Sequence, residues 1–148
     1  MPRTAVDASV VVAALLAWHE AHEPAFAALE RAVAKDELVV PLSALIECYS
    51  VLTRLPADHR LSPEDAAGLL DTSLRAPGRL AGLRAARGWS FLRTLVGEQV
   101  RGGATYDRRI LEEARSAGAS RLLTMNGSDF RRFALDGLEL LVPGEASS

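Results

Sequence analysis

The order of apolar and polar positions in the first part of the chain predicts a strand, two helices and a second strand. Residues 4–7 alternate as a short strand does, whereas the apolar run over residues 9–17 is too long for a strand and indicates a helix. Residues 23–35 repeat their apolar positions with a helical period. Residues 38–40 are continuously apolar, which is typical of a buried strand. A first strand–helix–strand unit is therefore complete by residue 41.

Two further helices are indicated by their boundary residues. Ser43 is a suitable N-cap for a helix over residues 43–55, which Pro56 closes. Ser62 and Pro63 form a typical start for the next helix, because proline fits the first helical position. The chain then breaks at residues 77 and 78, a proline–glycine pair.

The remainder of the chain continues the alternation of strands and helices. Residues 80–83 fit either a strand or a helix, and we favour a short strand. Further predicted strands cover residues 122–124 and 138–142, and predicted helices cover 89–101, 105–117 and the single turn 128–133. This alternation favours an α/β fold, a three-layer α/β/α sandwich with a central parallel sheet. The 148 residues, of which 49% are hydrophobic, suffice for one domain over 1–148. Residues 143–148 are expected to lack regular structure.

Composition points to a reducing compartment. Cys48 is the single cysteine and stands in an apolar stretch, so we expect a buried thiol and no disulfide framework. The longest uncharged run near the start, residues 8–18, is too short to span a bilayer, and Asp7 stands where a signal peptide needs positive charge. We expect a soluble, cytoplasmic protein that does not enter membranes.

Positive charge is concentrated in one segment. The net charge of −2 gives no general attraction to nucleic acid. Residues 72–101, however, hold six arginines and one acid, a net charge of +5, so the other residues carry −7. This segment is either a solvated surface or a surface that faces phosphates or a partner.

Acidic residues follow the predicted strands at the places where parallel sheets form their sites. Ligands bind such sheets at the carboxyl ends of the strands, where Asp7 and the segment from Asn126 to Asp129 both lie. Each has a structural alternative, since Asp7 can cap a helix and Asp129 can stabilise the start of a helical turn. Asp107 stands at the start of a helix, where the helix dipole alone favours an acid. Arg108 and Arg109 are candidate partners of Asp107 or contacts to phosphate.

Glu47 is the most informative acid. Its predicted helix is apolar on nearly every side, so we expect the helix to be buried, and no lysine or arginine stands three or four residues from Glu47. A buried carboxylate without compensation costs several kcal/mol, which a metal ion or a distant arginine relieves. Both explanations stay open on the sequence alone.

These acids stand in a pattern that resembles the PIN-domain proteins of the VapC toxin family over residues 4–142. The resemblance rests on helical Glu47 and on three short segments: Val6-Asp7-Ala8-Ser9, Gly103-Ala-Thr-Tyr-Asp107 and Leu123-Thr124-Met-Asn126-Gly-Ser-Asp129-Phe130. It implies a parallel sheet with helices on both faces and a cluster of acids that binds Mg²⁺ or Mn²⁺. The residues carried over are the catalytic and metal-binding acids Asp7, Glu47 and Asp107, with Ser9 and Thr124 as polar neighbours.

The sequence departs from this family at two places. Many relatives have a fourth acid where this chain has Asn126, so either Asn126 or the catalytic candidate Asp129 fills the fourth metal position. Arg108 and Arg109 stand where the family shows small or apolar residues, and we interpret them as candidate RNA contacts.

The resemblance also implies an activity and partners. Acids that share a pocket raise one another's pKa unless a cation neutralises them, and Mg²⁺ prefers oxygen ligands while keeping several waters. The implied function is an Mg²⁺-dependent endoribonuclease that cuts RNA as the toxin of a type II toxin–antitoxin pair. The implied partner is a small VapB-like antitoxin, for which Trp18, Trp89 and Phe91 are candidate anchors if they are not core residues. We also expect a homodimer.

Other chemistries fit the sequence less well. An Mg²⁺-dependent phosphatase also places an aspartate after its first strand, but the segment from Asp7 to Ser9 lacks the second aspartate. A non-catalytic regulatory or RNA-binding module with the same fold gains support from Asn126. His19 and His22 lack further ligands at zinc spacing, so we expect them at the surface. No phosphate-binding glycine loop is present.

Overall fold

The computed structural model describes residues 1–145, so residues 146–148 of the predicted irregular tail lie outside it. In the described part, five strands alternate with helices in chain order. The strands are β1 Arg3–Val6, β2 Glu37–Pro41, β3 Gly78–Ala81, β4 Arg121–Leu123 and β5 Glu139–Leu141. The helices are α1 Ala8–Leu15, α2 His22–Lys35, α3 Leu42–Thr53, α4 Pro63–Leu74, α5 Gly88–Gly97, α6 Ala104–Ser116 and α7 Gly127–Arg131. A 3₁₀ turn, Ala85–Arg87, precedes α5.

All five strands run parallel in one sheet whose order is β3-β2-β1-β4-β5. The first three strands are added in one direction, and β4 then pairs with the opposite side of β1. The order thus reverses between β1 and β4, and the carboxyl end of such a switch point is where open parallel sheets form their binding crevice. Asp7 and Thr124 directly follow these two strands.

The core lies between the sheet and its helices. The central strands are apolar and almost fully enclosed, with Ala5 and Val6 of β1 and Val39 of β2 all at 0% exposure. Parallel strands covered on both faces show such continuous apolar runs. The predicted α/β sandwich around a central parallel sheet is confirmed.

Helix α5 ends earlier than the sequence predicts. Its last residue is Gly97 rather than a residue next to the glycines at 102 and 103, because Gln99 takes the left-handed conformation with φ of 56°. The backbone N–H of Gln99 donates to the carbonyl of Val96, and that of Val100 donates to the carbonyl of Leu95. This is the Schellman pattern, in which the residues after a helix satisfy its last carbonyls. Glu98 is thereby left just beyond the helix.

Helix α3 differs from its prediction in two respects. It begins directly after β2, so Pro41 occupies the N-cap position and Ser43, the predicted cap, lies inside the first turn with a hydroxyl group that has no partner. The expectation that this helix is buried is wrong, because Ile46 is 62% exposed and Tyr49 is 38% exposed. By contrast, the predicted cap of α4 is present, since Ser62 Oγ accepts from the backbone N–H of Asp65 at 3.1 Å.

Within residues 1–145, the search for a helix of the length and apolarity that crossing a bilayer requires finds none.

Candidate active site

Asp7 lies at the centre of the carboxyl end of the sheet and is only 3% exposed. Its backbone N–H donates to the carbonyl of Leu123 at 2.8 Å, which extends the pairing of β1 and β4 by one residue. Its Oδ1 accepts from the N–H of Ala8 at 2.9 Å, so Asp7 also caps α1. Burial raises the pKa of the Asp7 carboxyl group, while hydrogen bonds from Ser9, Thr124 and Ala8 oppose the rise.

Two hydroxyl groups hold the other oxygen of Asp7. Ser9 Oγ and Thr124 Oγ1 each donate to Asp7 Oδ2 at 2.8 Å. The same hydroxyls accept backbone N–H groups of the loop after β4, Ser9 from Met125 and Thr124 from Asn126, both at 2.9 Å. Because a hydroxyl group both donates and accepts, each one links this loop to Asp7. The orientation of the Asp7 carboxylate is therefore set from both strands of the switch point.

Glu47 stands on α3 and is exposed, so the expectation of a buried carboxylate at this position is wrong. Partial burial raises the pKa of its carboxyl group, and the negative charges of Asp7 and Asp107 add to the rise. Arg54 opposes it, but its guanidinium donates to Ser50 Oγ at 3.0 Å rather than to Glu47. The pKa of Glu47 thus stays raised although Arg54 directly follows the same helix.

Asp107 stands in the first turn of α6 and is coupled to the acids around it. Burial raises the pKa of its carboxyl group, and the charges of Asp7 and Asp129 raise it further. Its ion-pair partner is Arg132, whose Nη2 donates to Asp107 Oδ2 at 2.9 Å. Asp107 is therefore paired by an arginine that the sequence analysis did not single out, and not by either of its two neighbours on α6.

The loop after β4 brings Asn126 and Asp129 to the same end of the sheet. Asn126 is the N-cap residue of α7 by its backbone position, although its side chain makes no capping hydrogen bond. Asp129 is exposed in the first turn of this short helix, and its charge acts on Asp107. The sequence suggested that this turn begins with Ser128, but its N-cap residue is Asn126. Buried Phe130 of the same turn packs edge-on against Phe133.

The donor set is chemically suited to a divalent cation. Among residues 1–145, no three or more His, Cys, Asp or Glu side chains are grouped so that they could hold a metal ion, so these acids do not form a closed cage. Mg²⁺ does not need one, since it binds through one or two carboxylates and keeps several waters. The pKa values of Asp7, Glu47 and Asp107 are all raised, and a cation among them would stabilise their ionised forms.

The prediction of an RNA contact at Arg108 is corrected by the structure. The Arg108 side chain is 4% exposed and binds both oxygens of Glu98, at 2.9 and 3.0 Å. It also donates to Glu112 at 3.0 Å, and its guanidinium lies 5.8 Å from the centre of the Phe91 ring. Arg108 thus connects α5 to α6, and its buried side chain is not exposed to a phosphate at the surface. The Arg109 side chain, by contrast, is 43% exposed.

The structure also separates the predicted partner anchors from the core. Trp89 is 78% exposed, and Trp18 is 49% exposed and stacks on the His59 ring with 4.1 Å between ring centres. Phe91 packs inside and is not an anchor. An apolar cavity of about 560 Å³ lies between α3, α4 and β3, and Ile46 and Tyr49 beside Glu47 form part of its wall.

Two charged residues with contacts near the site escaped the sequence analysis, Arg132 and Glu113. Arg132 stands three residues after Asp129 and directly follows α7, a spacing that brings it to the same side of this short helix. Glu113 is fully buried on α6. Its signal was its position on the apolar face that Ile110 and Ala114 define, where a carboxylate needs a partner.

Comparison with known proteins identifies the family. The PIN domain family matches residues 4–135. Ribonuclease VapC40 of Mycobacterium tuberculosis is 42% identical over 120 residues, which cover 81% of this chain and 84% of that protein. Ribonuclease VapC27 of the same species is 43% identical over 107 residues, 72% of each chain.

A solved structure shows the same fold. The structure of VapBC2 from Rickettsia felis, bound to a DNA fragment from its promoter, superposes with a TM-score of 0.65 at 19% identity, and the match covers 95% of this chain and 98% of the other. The chain therefore belongs to the PIN-domain family and, within it, to the VapC ribonucleases.

Proposed function

We propose that this chain is an Mg²⁺- or Mn²⁺-dependent endoribonuclease that hydrolyses phosphodiester bonds of RNA, and that it is the toxin of a type II toxin–antitoxin pair. The observation that carries the proposal is the set of mutually repelling acids at the switch point between β1 and β4. The acids of this set are Asp7, Glu47 and Asp107. PIN-domain ribonucleases of the VapC type generally depend on a divalent metal, which suits such a set.

Each acid has a defined part in this proposal. Asp7, Glu47 and Asp107 would hold the cation, with Asp129 or Asn126 at the fourth position. When bound, the cation supplies Lewis-acid polarisation of the phosphodiester and a more acidic water. Asp7 Oδ2 is occupied by two hydroxyl donors, whereas Oδ1 accepts one N–H and keeps a lone pair for a further contact. By binding Oδ2, Ser9 and Thr124 orient the carboxylate and thereby Oδ1.

Arg109 and Arg132 are two basic residues near Asp107, the first two residues after it in the chain and the second paired with it. Arg132 offsets part of the negative charge at Asp107, so the site does not repel phosphate as strongly as four free acids would. The half-exposed side chain of Arg109 stands two residues after Asp107. We propose that it contacts a phosphate of the RNA next to the one that is cleaved.

The decisive experiment measures RNA cleavage by purified protein with and without a divalent cation. We expect cleavage of single-stranded or looped RNA in Mg²⁺ or Mn²⁺, and none after chelation with EDTA. The Asp7→Asn variant, purified in the same way, controls for contaminating nuclease. Full activity in excess EDTA, or equal activity of the variant, would overturn the proposal.

The proposed partner is a VapB-like antitoxin that covers the acids. The exposed indole rings of Trp18 and Trp89 remain predicted anchors, because tryptophan is enriched in binding hot spots. Expression of the chain alone should slow growth, and co-expression with a VapB-like antitoxin of the native host should restore it. Normal growth, together with no small partner on purification from the native host, would refute the toxin assignment. The homodimer and the cytoplasmic location remain predictions.

The non-catalytic reading is favoured by one observation, the neutral side chain of Asn126 at the fourth position. A regulatory module would bind RNA in EDTA and leave it intact in Mg²⁺. The phosphatase reading has less support, because the relatives with 42% and 43% identity are ribonucleases. Hydrolysis of a phosphomonoester, with RNA left uncut, would support the phosphatase function.

A further inference from the structure

Glu113 is a charged residue with 0% exposure, and both of its carboxylate oxygens bind backbone groups of other elements. Oε1 accepts from the N–H of Ser43 at the start of α3, at 2.9 Å. Oε2 accepts from the N–H of Leu83, just after β3, also at 2.9 Å. We call these two hydrogen bonds the Glu113 bridge. The bridge connects α6, which bears Glu113, to two elements that are 70 and 30 residues away in the chain.

The bridge does the work of a missing helix cap. Helix α3 starts immediately after Pro41, whose side chain cannot cap the first turn, and the hydroxyl of Ser43 has no partner. The first N–H groups of a helix have no acceptor within the helix and need one from elsewhere. Glu113 supplies that acceptor from α6, and its negative charge suits the positive end of the helix dipole.

The surroundings of the bridge are closely packed. Arg109 Nε lies 3.5 Å from Glu113 Oε2, which compensates the buried charge from one helical turn away. A Cβ atom built on Gly82 would lie 3.3 Å from Leu42 Cδ2 and 3.8 Å from Glu113 Oε2. The loop after β3 therefore approaches the start of α3 closely, and Glu113 fills the position where the two meet.

The bridge joins the two helices that carry candidate metal ligands. Ser43 stands four residues before Glu47, one turn earlier on the same side of α3. Asp107 stands on α6, the helix of Glu113. We propose that Glu113 is a positioning residue, which sets the place of Glu47 relative to Asp107 and thereby the affinity of the site for its cation. This inference rests on the proposed metal-dependent function.

The test compares Glu113→Gln with Glu98→Gln by calorimetric titration of each metal-free protein with Mn²⁺ alone. Glutamine can accept only one of the two N–H groups and does not balance Arg109, so α3 loses its fixed position. We expect the dissociation constant for Mn²⁺ to rise roughly tenfold or more, as for other residues that hold metal ligands in place. Glu98→Gln removes a charged partner of Arg108 on the other side of α6, and we expect it to leave the Mn²⁺ affinity within about twofold.

Thermal melting of both variants separates positioning from stability alone. If both raise the dissociation constant in proportion to their loss of Tm, or if Glu113→Gln leaves it unchanged, Glu113 is only structural and the inference is wrong. Glu113→Asp keeps the charge but is one methylene too short to reach both N–H groups. The dissociation constant of Glu113→Asp for Mn²⁺ should lie between those of the wild type and Glu113→Gln.

Hydrogen exchange on the wild-type protein provides a test that does not depend on a folded variant. Because coupling between two sites is reciprocal, Mn²⁺ binding should slow exchange of the Ser43 and Leu83 amides more than that of exposed helix amides. Unchanged exchange in a protein that binds Mn²⁺ would overturn the Glu113 inference alone. A wild-type protein that binds no Mn²⁺, and whose cleavage of RNA persists in EDTA, would overturn the metal-dependent function and with it this role for Glu113.

Discussion

Helix α6 carries two regions in which charged side chains are arranged in opposite ways: its contact with α5, and the acid cluster at the carboxyl end of the sheet. At the contact with α5, Arg108 is buried between Glu98 and Glu112, which binds Arg87 as well at 3.6 Å. The hydrogen bonds from Arg108 lower the pKa of Glu98. At the residue just before Arg108, burial and the charges of Asp7 and Asp129 raise the pKa of Asp107 despite its ion pair with Arg132.

The difference shows where the fold is stabilised and where it is strained by its own charges. The contact between α5 and α6 favours the ionised forms of Glu98 and Arg108, so folding and ionisation support each other there. At the carboxyl end of the sheet, folding opposes ionisation of Asp7, Glu47 and Asp107. Sites that act on a ligand are where such conflicts concentrate. Mutations in the two regions should therefore separate activity from stability.

The largest expected effect is the loss of activity in Asp7→Asn. The amide removes a negative charge from the cation site, and we expect RNA cleavage to fall at least about 100-fold, since changes to residues behind the ligands already cost 10–100-fold. The metal-free variant should melt no lower than the wild type, because it no longer buries an ionisable group. Cleavage assays and melting curves in EDTA check both parts. A drop of many degrees in Tm would make Asp7 a structural cap.

For Arg108→Met we expect a loss of stability with little loss of activity. This change leaves Glu98 and Glu112 without their shared partner, and we expect a loss of about 3 kcal/mol in the free energy of unfolding, the lower end for a broken buried pair because Glu98 is 34% exposed. Urea denaturation measures it. Cleavage at low temperature, where the variant stays folded, should be within a few-fold of the wild type. A large loss of activity in the folded variant would show that Arg108 contacts RNA after all.

The part of this arrangement that the sequence predicts is the part governed by neighbours in the chain. Strands and helices follow from local apolar periods, and Asp7 falls at a strand end whatever the strand order. Periodicity also overestimated the burial of α3, because Ile46 and Tyr49 are apolar residues that the fold leaves in solvent. Whether an apolar face is covered depends on which element packs there, and local pattern does not contain that information.

The contacts that the sequence could not predict join distant positions. Glu113 reaches Ser43 across 70 residues, and Arg132 reaches Asp107 across 25. The predicted role of Arg108 was wrong for the same reason, since its acceptor Glu98 is placed by the left-handed turn at Gln99 that ends α5. A buried ion pair depends on three-dimensional packing, so only the need for a partner, and not its identity, can be inferred from a charge on an apolar face.

A smaller effect, of opposite sign in the two regions, is expected in the pH dependence of stability. The folded-state pKa of Asp7 is raised above its ordinary value of 3.8, so its contribution is present below that value and is lost as pH rises through the folded pKa. The folded-state pKa of Glu98 is lowered from 4.5, so its contribution is present above that value and is lost as pH falls.

Melting curves of the metal-free proteins between about pH 4 and 7 should show this contrast. Relative to the wild type, Asp7→Asn should gain in Tm as pH rises, because the wild-type protein then has to ionise Asp7. Glu98→Gln should lose in Tm over the same range, because only the wild-type protein gains the ionised pair with Arg108. Parallel curves for the two variants would mean that the two regions do not differ in the way described above.

The smallest expected effect concerns the fourth position of the site, where Asn126 is neutral and Asp129 is charged. An asparagine carbonyl can bind Mg²⁺ but adds no charge, so a carboxylate nearby determines how much the position contributes to metal affinity. The charge of Asp129 acts on Asp107, which supports a role of Asp129 in the site.

We therefore expect Asp129→Asn to raise the Mg²⁺ concentration for half-maximal cleavage a few-fold, and Asn126→Asp to lower it. Asp58→Asn, an exposed acid in another loop, serves as the charge-matched control and should change neither. If Asp129→Asn lowers only the Tm, the residue stabilises the first turn of α7 and three acids hold the cation.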